Sequence, residues 1–163
     1  MNTTNDSGFG SLSSFADIFN ANKPSSPHAK LTRIVIPKIQ RDYAQGRKDS
    51  DVSRVRKRFL DALHKAVTGQ PIKLDFIYGS VDEDGIMTPL DGQQRLTTLF
   101  LLHWYAARRA GVAGEQCAFL KNFSYETRYS ARDFCENLVG FTPAFSFERI
   151  SDEIIDQAWF ALS

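Results

Sequence analysis

Residues that carry redox, zinc or P-loop chemistry are scarce in this 163-residue chain. Its two cysteines, Cys117 and Cys135, are too few and too far apart for a zinc site, and in a reducing compartment they read as two buried thiols. The three histidines, His28, His64 and His103, stand alone, so no HNH nuclease motif and no HExxH motif can be assembled from them. His103 sits within an apolar stretch and reads as a hydrogen-bonded core residue. No Gly-Lys-Ser/Thr occurs anywhere, which excludes a Walker-type phosphate loop. No apolar run approaches the length needed to cross a bilayer, and the N-terminal MNTTNDSGFGS has neither the basic nor the apolar region of a signal peptide. The expectation is a cytoplasmic protein without a membrane partner.

Hydrophobic residues make up 42% of the chain and charged residues 24%, ordinary values for a globular protein with a real core. The net charge of +1 hides an uneven distribution. Residues 30–73 carry twelve Lys/Arg against four Asp, a net of +8, whereas residues 133–163 carry six acids and one Arg, a net of −5. The basic region favours nucleotide or nucleic acid through its local potential. Arg54, Arg56, Lys57 and Arg58 are spread around a helix and not gathered on one stripe, so they read first as a solvated face.

Residues 1–10 are polar and Gly-rich and are expected to be disordered. Ser11 to Asn20 reads as a short amphipathic helix, Leu31 to Ile36 as a strand ended by Pro37, and Asp49 or Ser50 to Val67 as a helix stopped by Gly69 and Pro71. Val52, Val55, Phe59, Leu60, Leu63 and Val67 give that helix its three- and four-residue period. Leu74 to Tyr78 reads as a strand, Asp82–Gly85 as a turn and Met87 to Leu90 as a returning strand. A helix apolar almost all round, and therefore buried, starts at Gln93 and ends near Gly111. Two more helices are expected at about 131–139 and 151–162. This order suits an α/β or α+β core with a helical extension. It divides into a flexible segment 1–29, a core 30–112 and the start of a helical region 113–163. The last helix is rich in apolar residues (Trp159, Phe160, Leu162) and has no stop signal, so the chain reads as an N-terminal piece of something longer.

The most informative stretch is Asp91-Gly92-Gln93-Gln94-Arg95, where a strand turns into the apolar helix. The first turn of a helix exposes unpaired N–H groups and a partial positive charge, which suit phosphate. Arg95 can add a bidentate contact to the same anion. Gly92 permits close backbone approach, while Asp91 can cap the helix, hold a cation or orient a water. A capped helix with a solvated first turn accounts for the same residues. A second Gln-Arg pair, Gln40-Arg41, also follows a strand end, the place where open α/β sheets bind ligands. Convergence of the two pairs on one pocket is expected, the alternative being that Arg41 pairs with Asp42 or Asp91 and ties loops together. Tyr43 can stack on a base or simply pack. Arg128 can serve as a third phosphate contact or bridge to Glu126 or Glu136.

Asp91–Arg95 resembles the DGQQR motif of the GmrSD-type restriction endonuclease N-terminal domain family. Ile36-Pro37-Lys38-Ile39-Gln40-Arg41-Asp42-Tyr43 resembles that family's IPxxQRxY block, although Ile39 and Gln45 depart from its aromatic positions. Phe123-Ser124-Tyr125-Glu126-Thr127-Arg128, with Ser130 and Phe134 following, is a third match in the same order. The resemblance implies a ParB/sulfiredoxin-like fold and an NTPase whose hydrolysis is coupled to restriction of modified or foreign DNA. Asp91, Gln94 and Arg95 would then be catalytic, and Gln40, Arg41, Tyr43, Gly92, Gln93, Arg95 and Arg128 would bind nucleotide. Mg²⁺ is the natural companion of Asp91 beside a phosphate. Family members continue into a helical region, often followed by an HNH-type nuclease domain, so DNA would be met through the full-length protein or a partner subunit. A non-hydrolysing module that senses nucleotide or DNA, and an inactive truncated remnant, are the alternatives.

Overall fold

A computed structural model describes residues 11–19, 31–37, 50–126 and 129–161. A four-stranded sheet lies at its centre, in the order β2-β3-β1-β4. Strand β1 (Arg33–Ile36) buries Ile34 and Ile36 and leaves Arg33 exposed, the alternation of a strand with one face on the core. Pro37 then removes the next donor. β1 runs parallel to β3 (Ile86–Pro89) on one side and to β4 (Phe123–Tyr125) on the other. β2 (Gly79–Val81) is antiparallel to β3 at the sheet edge. The fold class is the expected mixed α/β one.

Two long helices connect these strands. Helix α1 (Ser50–Val67) matches the expected span, and it stops where Gly69 takes φ +101° while Gln70 N–H donates to the Lys65 carbonyl at 2.9 Å. Helix α2 (Gln93–Arg109) lies between β3 and β4 and places Leu96, Phe100 and Trp104 in the core. Phe100 stacks on Phe123 of β4 with ring centroids 4.8 Å apart, which fastens helix to sheet. The outer side of α2 is less buried than its composition suggests, since Tyr105 is exposed. Cys117 and Cys135 are free thiols in the core, as expected. His103 Nδ1 lies 2.7 Å from the Leu99 carbonyl, and its ring packs against Phe15 and Phe119.

Several expected elements are corrected. Leu74–Tyr78 is not a strand; the ladder forms at Gly79–Val81 instead. The Asp82–Gly85 turn sets the register, with Asp82 Oδ1 accepting from the N–H groups of Asp84 and Ile86. Val81 then faces Met87 and Gly79 faces Pro89, so Tyr78 meets the Leu90–Gly92 turn into α2 and the ladder goes no further. The amphipathic helix expected over 11–20 is a single 3₁₀ turn, Asp17–Phe19, with Leu12 exposed and only Phe15 fully inserted in the core. So short a helix has little stability of its own, and the burial of one aromatic decides its shape.

The helix expected over 151–162 is broken into α4 (Ile150–Ile155) and α5 (Ala158–Ala161). The break lets Trp159 pack against Phe134 of α3 (Tyr129–Gly140) and against Phe141, while Phe160 stays partly exposed; Leu162 lies outside the described residues. Glu153 is buried, and one of its carboxylate oxygens accepts the Ala144 N–H, tying α4 to the segment after α3. A 3₁₀ stretch, Gly114–Asn122, and β4 itself occupy a region where no element was expected.

Candidate functional site

The carboxyl ends of β1, β3 and β4 lie along one edge of the sheet, because the three strands are adjacent and parallel. The DGQQR block follows the end of β3, the first block begins at Ile36, the last residue of β1, and the third begins with β4 itself. The chain leaves β1 through Pro37, β3 through the Leu90–Gly92 turn, and β4 through Glu126, whose N–H donates to the Ile36 carbonyl at 2.9 Å. The N-terminus of α2 opens at the same edge and brings the positive end of its dipole there. Gln40, Arg41, Tyr43 and Arg128 lie outside the described residues, and with them the expected meeting of Arg41 and Arg95.

The turn itself is tightly specified. The N–H groups of Leu90 and Asp91 both donate to the Tyr78 carbonyl, at 2.9 and 3.2 Å. Gly92 is the N-cap of α2 with φ +86°, and a Cβ there would sit 2.5 Å from Ile77 Cγ1. Both the conformation and the space require glycine, and the close approach that it permits is to Ile77. Asp91 does not cap the helix; no side chain does. Its carboxylate instead takes Arg95 Nη2 at 2.8 Å, one helical turn on.

Arg95 is the best buried of the charged groups here, with a side chain 18% exposed. Its Nη1 also lies 3.7 Å from Asp75 Oδ2, whose side chain is 97% exposed. The guanidinium is thus held between two carboxylates, firmly by Asp91 and loosely by Asp75. Gln93 turns backward, its Nε2 donating to the Pro89 carbonyl at 3.0 Å, and so fastens the helix start to the strand end. Gln94 is half-buried, and its carbonyl accepts the Thr98 hydroxyl at 2.8 Å. Thr97 Oγ1 donates to the Gln93 carbonyl and lies 2.8 Å from the Tyr125 hydroxyl, linking the first turns of α2 to the end of β4. The DGQQR turn and the third block therefore meet, even though they are far apart in sequence.

Asp91 and Arg95 also border a cleft of about 740 Å³ between α1 and the segment before β2, together with Val55, Arg58, Phe59, Asp75 and Phe76. Sequence reading did not single out Phe59, Asp75 or Phe76 as site residues. Asp75 is twenty positions from Arg95 and carries no motif, and Phe59 belongs to the apolar period of α1. Only the folded chain joins them to the DGQQR turn. Arg58 forms no ion pair among the described residues and brings a second guanidinium to the same cleft, beside the carboxylates of Asp75 and Asp91. Among the described residues no group of three or more His, Cys, Asp or Glu is placed to hold a metal ion. Asp91 and Asp75 alone suffice only for a cation that arrives with its own further ligands.

The class of protein that the fold defines is a mixed α/β module with a polar, arginine-bearing turn at the carboxyl ends of its parallel strands. The chain matches the family model of the GmrSD restriction endonuclease, N-terminal domain, over residues 15–158, and it belongs to that family. It is thus an N-terminal module of the restriction and phage-defence kind. No curated protein and no solved structure matches it. Among the described residues no helix is long and apolar enough to cross a membrane.

Proposed function

We propose that this module binds a nucleoside triphosphate at the DGQQR turn, with Mg²⁺ carried on the phosphates, and that hydrolysis there is coupled to cleavage of modified or foreign DNA by another domain. The observation that supports it most is the setting of Arg95: a largely buried guanidinium at a helix N-terminus, beside the carboxyl ends of parallel strands. Arg95 would stabilise the charge on the transferred phosphoryl group, Gln94 would orient the attacking water, and Asp91 would hold Arg95 in place and face the cation. Mg²⁺ generally uses one or two protein carboxylates plus substrate phosphates and waters, which Asp91 and Asp75 can satisfy. Gln93 and Gly92 would act through the shape of the turn. Gln40, Arg41, Tyr43 and Arg128, which come after β1 and β4 in the sequence, would complete the proposed phosphate set. DNA is met in the cytoplasm by the whole restriction protein.

A second reading, a nucleotide-sensing module that does not hydrolyse, is favoured by the tight Asp91–Arg95 pair, which leaves Asp91 less free to polarise water. Calorimetry with MgATP and MgGTP, together with phosphate release, separates the two. Arg95→Ala is expected to weaken binding by about 1.5–3 kcal/mol, the scale of a lost charge-assisted hydrogen bond. Asp91→Asn is expected to retain binding and abolish turnover. Binding that is unaffected by Arg95→Ala removes the phosphate role, and wild-type binding without turnover selects the sensing module.

A further inference from the structure

The cleft beside Arg95 continues past the motif toward α1, and its far part has a different chemistry. Phe76 directly follows Asp75, is 79% exposed, and lines the cleft together with the half-buried Phe59 of α1; its ring lies 6.2 Å from that of Tyr78. A phenylalanine left so open in the wall of a cleft has ring surface available to a ligand. Arg58, one position before Phe59, also lines the cleft and forms no ion pair among the described residues. At about 740 Å³ the cleft falls within the range of small-ligand pockets, roughly 300–1,000 Å³.

We infer that this cleft is the base-binding half of the nucleotide site, with the base stacked on Phe76 against Phe59 and with Arg58 joining Arg95 on the phosphates. The inference rests on the nucleotide reading above and extends it to residues outside the motif. Asp75 links the two halves: its exposed carboxylate, 3.7 Å from Arg95, yields that guanidinium to a phosphate with little loss. Residues 75 and 76 are neighbours, so a ligand whose phosphate displaces Asp75 has its base within reach of Phe76. Stacking asks only for a π face, so the site accepts any nucleobase that can lie against Phe76.

The test compares MgATP with inorganic tripolyphosphate in calorimetric titrations of the full chain. The expected result is that wild type binds MgATP roughly tenfold or more tighter than tripolyphosphate. Phe76→Ala should lose most of that advantage while leaving tripolyphosphate binding unchanged, and Phe76→Tyr should restore it. Arg58→Gln should weaken both ligands by roughly five- to tenfold. Phe76 is exposed, so its variants are expected to melt as wild type does, which a thermal scan verifies. If Phe76→Ala and Arg58→Gln bind MgATP like wild type while Arg95→Ala does not, the base lies elsewhere and only this inference falls. Equal losses of MgATP and tripolyphosphate in Phe76→Ala also overturn it. Failure of wild type to bind either ligand removes the nucleotide reading and this inference together.

Discussion

Helices α1 and α2 are nearly equal in length, eighteen and seventeen residues, yet they stand in opposite relations to the core. Helix α1 has the clean three- and four-residue apolar period of a helix packed on one face, but Val55, Leu60 and Val67 are exposed, and of its apolar residues only Leu63 is buried. Helix α2 has a more diffuse pattern and supplies Leu96, Phe100 and Trp104 to the centre of the protein. Periodicity reports that a segment can form a helix with an apolar side. It does not report how much of that side finds a partner. In α2 the neighbours are a parallel strand before and after, which force the helix across the sheet. α1 has fewer such constraints, and it lends Val55, Arg58 and Phe59 to the cleft.

The contrast is broken most directly by truncating one side chain in each helix. Phe100→Ala is expected to cost about 3–5 kcal/mol in urea unfolding, because it leaves a cavity against Phe123. A loss below about 1 kcal/mol would mean that α2 is not the centre of the core. The next effect is one of pH and lies where α3 meets the same core. Burial, with Glu136 adding to it, pushes the Cys135 thiol from 9.0 up to about 12. The folded state therefore keeps a proton that the unfolded chain gives up. Stability is full below about pH 9 and is lost as pH rises toward about 12. Melting temperatures measured between pH 8 and 10.5 should fall, and Cys135→Ala should flatten that slope; an unchanged slope would refute the burial of the thiol.

Gly92→Ala is expected to cost about 1–3 kcal/mol, since a side chain at positive φ is strained and Ile77 occupies its space. It should also misplace Arg95 and weaken nucleotide binding, which Gly111→Ala, at a site with open space, should not. The smallest effect belongs to α1. Val67→Ala, on a side chain that is 71% exposed, should stay within about 0.5 kcal/mol of wild type in the same urea titration. A cost near that of Phe100→Ala would show that the exposed face of α1 is covered in solution.

Local chemistry made much of this protein legible in its sequence. The spans of α1 and α2, the Asp82–Gly85 turn, the strand ended by Pro37 and the buried thiols all follow from patterns contained within a few residues. So do the polar turn at Asp91–Arg95 and its resemblance to a restriction-family motif. Other features depended on partners distant in the chain. The register of β2 was set by pairing with β3, and the strand at Phe123–Tyr125 exists because β1 offers it an edge. The break between α4 and α5 follows from aromatic packing around Trp159. The same holds at the candidate site, where Arg95 and its motif were visible, Arg58 read as part of a solvated helix face, and Asp75, Phe59 and Phe76 were not singled out. Residues within one helical turn or one hairpin are brought together by backbone geometry, which the sequence specifies by itself. Residues twenty or more positions apart meet only when burial of the whole core decides which surfaces face each other, and that is a property of the tertiary structure.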